Sequence, residues 1–445
     1  MKQFIIPILC LLFSPTLFSQ EMTFSFTLNE AVAYGLKNNY TIKTSELDII
    51  AAEKKKWETT TMGLPQIDGT VDYQNFIKQG VTLIPSEIFG GPPGEFAEVI
   101  FGTKQNLNAT VTLTQLIFDG SYLVGLQSAK TYLKISNLAK EKTEQTIREA
   151  VINAYGNVLV AHETILILEN NKNVLEKNLN DTKIYLETGF AEIQDFEQQQ
   201  ITFLTVKNQL NKASRFEIIA KKMLNLTLGI PIETPILLTD NLEHLALNST
   251  DLRLVGKNFD LDNHIDYKIA DNLVVSNELL VKYEKSKAIP SLNAFVNYST
   301  YAANNNNIFF NNQGSWFDSS LFGVSLKVPI FSSLERSSRT QQAKISLNQS
   351  EIELDETSER LKLQVATAKN KYQLALDLFQ TSKQNLVLAQ SIAKKEQIKF
   401  FEGVSSSFNL TNSQNQLYSK QQEYIQSILE IIQTKVELEN ALNIY

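Results

Sequence analysis

The side chains best suited to metal binding or nucleophilic catalysis are few in this sequence of 445 residues, which contains three histidines and one cysteine. His162, His244 and His264 are scattered along the chain, and none has a partner at the spacing of a metal-binding motif. Cys10 lies in an apolar run near the N-terminus and does not complete such a motif. The sequence therefore does not predict a metal centre.

Three further patterns resemble functional motifs without completing them. The stretch FGGPPGEF (89–96) is rich in glycine but lacks the Lys-Ser or Lys-Thr pair of a phosphate-binding loop. The serines of GVSSSF (403–408) have no nucleophile-elbow context and fit a helix N-cap. Glu351 and Asp355 are four residues apart, as on a solvated helix face. We therefore predict that the protein is not an enzyme and uses no cofactor.

Composition and charge limit the remaining classes of protein. With 43% hydrophobic and 20% charged residues the chain can bury a large core, and its 10 prolines and 17 glycines are too few for a disordered or fibrous chain. The formal charge is -7, and the sequence has no cluster of Lys and Arg interleaved with aromatic residues. Nucleic-acid binding is therefore not expected.

The N-terminal segment has the pattern of a secretory signal peptide. Lys2 is followed by an apolar run from Phe4 to Phe13 and by the small residue Ser19, so we predict a signal peptide over residues 1–19. Cys10 follows Leu9 rather than a small residue, which disfavours, without excluding, lipidation at a lipoprotein cleavage site. No later stretch approaches the roughly 20 apolar residues of a membrane-spanning helix, so a membrane segment would have to be a strand.

The chain repeats its own pattern. LPQIDGTVDY (64–73) aligns with IPSLNAFVNY (289–298), and LTLGI (226–230) aligns with NALNI (440–444). We predict a first repeat over residues 20–230, a linker over 231–260 and a second repeat over 261–445. Each repeat is expected to contain a helix, two strands and a long helical hairpin.

The helical hairpins are predicted from heptad spacing and from the absence of proline. In the first half, apolar residues recur at alternating steps of three and four from Ile147 to Leu168, and the pattern resumes after a break at Lys172. We expect hairpins over about 121–228 and 334–443. The first helix of the chain should begin at Thr27, because Glu30 stands at the capping-box position. Helices this long need neighbours from another half or another chain.

Four segments alternate apolar and polar residues, as strands with two different faces do. The predicted strands cover about 64–77, 105–118, 289–301 and 318–331. The pattern fits an ordinary half-buried antiparallel sheet. It also fits membrane strands of about 9–11 residues, which the signal peptide and the tyrosines near the strand ends favour. Four strands cannot close around a channel, so a barrel would need several chains.

The ordered set FTLNEAVAYGLKNNY, LPQIDGTVDY, LIFDG, the Gly189 turn and LTLGI, with its weaker second copy, resembles the TolC-type outer membrane efflux proteins over nearly the whole mature chain. The resemblance implies a mainly α protein with membrane β structure. It implies a homotrimer in which four strands per chain form a twelve-stranded barrel in outer membrane lipid, above a periplasmic tunnel of twelve helices. Loops 78–105 and 302–316 would face the exterior.

The same resemblance implies a function and partners. The protein would be the passive exit duct of a tripartite efflux or type I secretion system in the outer membrane of a Gram-negative bacterium. It would conduct drugs, other small molecules or proteins and would work with a periplasmic adaptor and an inner-membrane pump of RND or ABC type. A periplasmic coiled-coil adaptor or scaffold without transport activity remains the alternative.

Three groups of residues are expected to form functional or structural sites. The adaptor would dock at the hairpin tips, Gly189, Phe190, Gly403 and Val404. The periplasmic aperture would lie at Asp195, Gln198, Asn409 and Asn412. The strand-to-helix junctions are Phe118, Asp119 and Gly120 in the first half and Phe331, Ser332 and Ser333 in the second. Plain glycine helix ends and solvated helix-tip residues are the simpler interpretations of the first two groups.

The junctions depart from the family pattern, which often has a proline before the Ile-Phe pair and two glycines after it. Leu116 replaces the first proline, and Ser333-Leu334 replace the second glycine pair. We expect these turns to be less permissive. Only one of the four aperture residues is acidic, so a trimer would carry three carboxylates there rather than a dense ring.

Overall fold

The computed structural model describes residues 24–306 and 315–444. The predicted signal peptide and most of the predicted loop at 302–316 lie outside the described residues. In chain order the elements are β1 (Phe24–Phe26), α1 (Leu28–Asn38), α2 (Tyr40–Thr61), β2 (Gln66–Asn75), β3 (Thr82–Pro85), β4 (Phe96–Val99), β5 (Gln105–Phe118), α3 (Gly120–Glu187), α4 (Ile193–Leu228), β6 (Ile236–Leu238), α5 (Leu242–Asn248), α6 (Ile265–Ser286), β7 (Ser291–Asn304), β8 (Trp316–Lys327), α7 (Glu335–Phe401) and α8 (Ser407–Ala441).

The described chain forms two compact units. Unit 1 combines the N-terminal segment up to Thr44 with Glu141–Asp260 and the C-terminal segment from Leu361, and unit 2 combines Ser45–Lys140 with Leu261–Arg360. Each unit therefore takes segments from both halves of the chain. The repeat boundaries at 20–230 and 261–445 remain a prediction about sequence similarity and do not coincide with these units.

Unit 2 contains one four-stranded antiparallel sheet in the order β2-β5-β7-β8. The register places Ile67, Leu113, Val296 and Phe322 in one row across the four strands. The next row, on the opposite face, contains Asp68, Thr112, Asn297 and Leu321. The predicted alternation is confirmed, since one face is mainly apolar and the other mainly polar.

The strand bounds differ from the predicted ones at several ends. The fourth strand was expected over 318–331, but β8 begins at Trp316 and stops at Lys327, so residues 328–331 are not strand. Pro329 follows directly and has no backbone N–H to continue a ladder. The third strand, β7, continues to Asn304, beyond the predicted residue 301. The first loop, 78–105, also contains a short hairpin of β3 and β4.

The main hydrophobic core lies in unit 1. Val151 and Tyr155 of α3, Leu224 of α4, Tyr372 of α7 and Ile431 of α8 are fully buried in it. The hairpins α3–α4 and α7–α8 therefore pack through apolar seams.

The predicted capping box at the start of α1 is confirmed, because the Thr27 side chain accepts from the Glu30 N–H and the Glu30 carboxylate accepts from the Thr27 N–H.

The linker over 231–260 is more ordered than its weak periodicity indicates. It supplies β6, which pairs with β1 in a parallel two-stranded sheet, and α5, which packs on α8. The Tyr155 hydroxyl lies 3.0 Å from the Phe26 carbonyl oxygen and 2.9 Å from the Asp240 carboxylate. Burial, together with that carboxylate, raises the pKa of Tyr155 well above its usual value. This tyrosine fixes the linker to α3.

Helix α3 contains one 18-residue stretch of mean hydropathy 1.4, apolar enough by composition to cross a membrane. Core helices pass the same test, and α3 contributes Val151, Tyr155 and Val158 to the core of unit 1. We therefore interpret α3 as a core helix.

Candidate functional site at the hairpin tips

The two helical hairpins of unit 1 end in turns of the same geometry. Gly189 has a φ of +76° and Gly403 a φ of +73°, in the left-handed region that favours glycine. The Phe190 N–H donates to the Tyr185 carbonyl at 2.8 Å, and the Val404 N–H donates to the Lys399 carbonyl at 2.9 Å. Both turns are Schellman motifs, which end α3 and α7 and satisfy their last carbonyl groups.

Each glycine is followed by a large apolar side chain that points into solvent. Phe190 is 84% exposed and Val404 is 72% exposed. Local packing does not require either side chain, because the glycine alone is sufficient to end the helix. An exposed apolar residue on a rigid turn is a common feature of protein docking sites.

A cleft of about 790 Å³ lies between the two turns. Tyr185, Phe400 and Phe401 are among the residues that line it. The ring centroids of Tyr185 and Phe401 are 6.3 Å apart, and Phe400 packs edge-on to Phe401 with a centroid distance of 5.4 Å. Three of the four predicted tip residues, Gly189, Phe190 and Gly403, thus line one cleft.

The aperture residues occupy different environments. Asp195 is the first-turn acid of α4, where its carboxylate accepts from the Glu192 N–H at 3.1 Å and from the Ser407 hydroxyl of the other hairpin. Gln198 is half-buried, whereas Asn409 and Asn412 are exposed. The structure thus ties Asp195 to the neighbouring hairpin.

Sequence reasoning missed a series of buried polar pairs between the hairpins. The Asn171 amide donates to Gln421 at 2.9 Å, and the Gln397 amide donates to Asn178 at 3.1 Å. Leu168, Asn171, Leu175 and Asn178 are all buried and follow one another at steps of three and four. The buried seam of α3 therefore continues through the apparent break at Lys172. A heptad count that accepts buried asparagine would have found this seam.

The first strand-to-helix junction is closed by a side-chain cap. One Asp119 carboxylate oxygen accepts from the N–H groups of Ser121 and Tyr122, at 2.7 and 3.0 Å. A Cβ on Gly120 would lie 3.3 Å from the Ser286 carbonyl oxygen, so the start of α3 approaches the end of α6 closely. Phe118 is the last residue of β5.

The second junction contains no glycine and turns through two consecutive residues of positive φ, whereas the first junction has none. Ser333 has a φ of +47° and Leu334 a φ of +66°. The Arg336 side chain supports the turn by donating to the Ser332 hydroxyl at 3.1 Å and to the Pro329 carbonyl at 3.0 Å. Phe331 is 82% exposed. Two residues with side chains thus adopt a conformation that glycine adopts at little cost.

Replacing Leu334 by glycine is therefore expected to stabilise the junction. A left-handed conformation costs a residue with a Cβ about 1–2 kcal/mol, and Leu334 is largely exposed, so little packing is lost. The thermal unfolding midpoint of the detergent-solubilised protein should rise. Leu334→Ala is the matched control, because it removes the same side chain and keeps the backbone cost. Equal midpoints for the two variants would contradict the interpretation.

The three histidines have structural contacts. His162 Nδ1 lies 3.2 Å from the Glu217 carboxylate, and His264 caps α6 by accepting from the Asp266 N–H. His244 lies 3.3 Å from the Asn248 side chain within α5. Within residues 24–306 and 315–444, no group of three His, Cys, Asp or Glu side chains is arranged to hold a metal ion.

Comparisons with known proteins agree with this architecture. The profile of the family described as "Outer membrane efflux protein" matches residues 35–229 and 277–443. Outer membrane protein TolC of Vibrio cholerae serotype O1 is 21% identical over 346 residues, which are 74% of this chain and 76% of the relative.

Two solved structures share the fold. A crystal structure of CusC is 16% identical, with a TM-score of 0.74 over 93% of this chain and 91% of that chain. The outer membrane protein VceC of Vibrio cholerae is 12% identical, with a TM-score of 0.71 over 93% of this chain and 95% of that chain.

A four-stranded sheet with an apolar face, joined to long helical hairpins, defines a channel protein of the outer membrane that extends into the periplasm. The chain belongs to the Outer membrane efflux protein family. Its function is that of an outer membrane efflux channel of tripartite systems. This assignment favours the channel over the scaffold that the sequence left open.

Proposed function

We propose that three copies of this chain assemble into one passive exit duct. The observation that carries the proposal is the pair of open sheet edges. Within the described residues, β2 pairs only with β5 and β8 pairs only with β7, and both outer strands are exposed almost throughout. Unpaired edges are not tolerated in lipid, and four strands from each of three chains would close a barrel of twelve.

The proposed duct obtains its driving energy from another protein. Members of the family work with adaptors and inner-membrane pumps and form trimers. We assign to this chain a periplasmic adaptor and a pump of RND or ABC type, with drugs, other small molecules or proteins as cargo. Selectivity would then depend on pore width and lining charge rather than on a tight pocket.

The oligomeric mass and the single-channel conductance test this proposal. The mature protein is purified from outer membranes in mild detergent, weighed by light scattering and inserted into a planar bilayer. A trimer with steady or gated conductance is the expected result. A monomer or dimer that remains silent in the bilayer would overturn the proposal.

The adaptor is proposed to dock at the tip turns, through Phe190 and Val404 and the two glycines that present them. Replacing Phe190 by serine is expected to weaken adaptor binding at least tenfold, because central aromatic residues often dominate such interfaces. Cross-linking yield to the adaptor in cells and accumulation of a fluorescent efflux substrate measure the effect.

Phe216→Ser is the control for this prediction, since Phe216 is about half exposed and lies on α4 away from the tip. It should leave adaptor binding unchanged. An equal loss for both variants would argue that exposed apolar area in general, and not the tip, binds the adaptor.

The periplasmic aperture is proposed to lie just above the tips, near Asp195, Gln198, Asn409 and Asn412. Asp195 is bonded to Ser407, so its carboxylate is held between the two hairpins of one chain. With one acid per chain, cation block of the proposed trimer should be weak. Divalent cations at millimolar concentration should reduce the single-channel current only slightly.

A further inference from the structure

Unit 2 carries a concentration of positive charge where its helices adjoin the sheet. We define the basic collar as the cationic side chains within the end of α2 (53–61), the start of α3 (120–134), the end of α6 (278–288) and the start of α7 (335–344). These residues are Lys54, Lys55, Lys56, Lys130, Lys134, Lys282, Lys285, Lys287, Arg336, Arg339 and Lys344. Eleven cationic side chains stand against five acidic ones in these segments, although the whole chain carries a charge of -7.

The other end of the sheet lacks this bias. The connection 76–104 between β2 and β5 contains two lysines and three glutamates, and the connection 305–315 between β7 and β8 contains no charged residue. The excess of positive charge is thus confined to the end of the sheet that adjoins the helices. A general need for solubility would not produce such an asymmetry between the two ends.

An apolar rim separates the collar from the sheet. Ile330, Phe331 and Leu334 are among the most exposed large apolar side chains of the protein, and they lie between the end of β8 and the first arginines of α7. On the first half of the chain, Met62 and Leu64 lie between Trp57 and β2 in the same order. At a membrane interface, apolar residues in the lipid are followed, towards the water, by aromatic residues and then by cations. The two segments have this order.

Most of the collar cations are available to a ligand, although Lys287 pairs with Glu284 at 2.6 Å and Arg336 supports the second junction. Lys54, Lys282 and Lys285 are exposed, and they form no ion pair within residues 24–306 and 315–444. Lys55 and Arg339 pair with acids of their own helices in exposed positions, where such pairs contribute little. Lys54 precedes Trp57 by three residues and lies on the same face of α2.

We propose that the basic collar binds the anionic phosphodiester headgroups of phospholipids in the inner leaflet of the outer membrane. A basic cluster directly beside a membrane segment attracts anionic lipids within about one Debye length, near 8–10 Å. The proposal rests on the membrane position of the sheet. It does not depend on the proposed docking of an adaptor.

Trp57 offers a direct probe, because the chain contains only two tryptophans, Trp57 and Trp316. Trp316→Phe leaves Trp57 as the single emitter in the full mature chain. The protein is reconstituted in phosphatidylcholine vesicles containing either brominated phosphatidylglycerol or an equal amount of brominated phosphatidylcholine. Quenching of Trp57 then compares the local concentrations of the two lipids.

Brominated phosphatidylglycerol is expected to be enriched roughly fivefold or more around Trp57, relative to brominated phosphatidylcholine. A factor of about five is the preference that a single Lys or Arg near an anionic membrane surface provides. Combined Lys54→Gln, Lys55→Gln and Lys56→Gln should lower the ratio severalfold, and high salt should bring it close to one. Lys172→Gln, Lys177→Gln and Lys183→Gln form the control, because they remove the same charge from α3 within unit 1.

Three results would overturn the proposal. Equal quenching by the two lipids would show no preference for the anionic headgroup. Absence of quenching by either lipid would show that Trp57 faces away from the bilayer. Competition by inorganic phosphate at millimolar concentration would indicate a site for free phosphate. Trimer mass and conductance of the same variants are measured in parallel, so failure of the exit-duct proposal is recognised separately.

Discussion

Replacing Gly229 by alanine is expected to destabilise unit 1 by about 2–5 kcal/mol, the sum of a backbone cost and an overpacking cost. Gly229 ends α4 with a φ of +77°. A Cβ at this position would lie 2.3 Å from the Asn38 carbonyl oxygen and 3.1 Å from the Asn39 Cα. Both neighbours are backbone atoms at the break between α1 and α2, so a side-chain rotation cannot relieve the overlap.

The yield of folded protein in outer membranes and the thermal midpoint of helical ellipticity measure this loss. Gly189→Ala is the matched control, because Gly189 has nearly the same φ of +76° but a Cβ there would meet no atom within 4 Å. Gly189→Ala should therefore show only the cost of placing alanine at a positive φ, without an overpacking cost. Equal losses for the two variants would indicate that the contact with α1 is unimportant.

A positive charge at Val296 is expected to cost about 2–4 kcal/mol of folding free energy in the membrane. Val296 lies near the middle of β7, in a row with Leu113 and Phe322 on the apolar face of the sheet. Val296→Arg would place a guanidinium in lipid at this depth. The fraction of protein that folds into phospholipid vesicles, followed across a urea series, measures the cost.

Ser299→Arg tests the other face at a similar depth. Ser299 lies opposite Thr110 and Ser319, both polar, and should accept a charge with little effect on folding. If both arginines reduced folding equally, the two faces would not differ in environment. If neither did, the apolar face would be in contact with water, as in a soluble scaffold.

The bounds of a strand could be predicted from the sequence where the alternation of apolar and polar residues alone determines them. Strand β5 has the predicted bounds, 105–118, because its alternation is regular from Leu107 to Leu113 and its ends are marked by polar turns. The last strand was extended too far, since Val328 and Ile330 maintain the alternating pattern beyond the ladder. Pro329 ends it, and pattern counting gives a single proline too little weight.

The helical seam was predicted only where it is apolar. Leu168 and Leu175 identified it, but a break was placed at Lys172. Asn171 and Asn178, which are buried and paired with the other hairpin, were not recognised as seam positions. Those pairs depend on residues more than two hundred positions away, so no local pattern reveals them. The roles of the tip and aperture residues remain predictions for the same reason, because they depend on partners outside the chain.

The pairing of β5 with β7 determines the order in which the sheet can form. These strands come from different halves of the chain, and the register joins Gln105 to Asn304 across nearly two hundred residues. During export the N-terminal half emerges first and can form only the β2–β5 hairpin, whose apolar face and open edge stay unpaired until β7 arrives. The chain thus crosses the periplasm with aggregation-prone strands exposed, and its biogenesis should depend on holding chaperones more strongly than that of a barrel built only from consecutive hairpins.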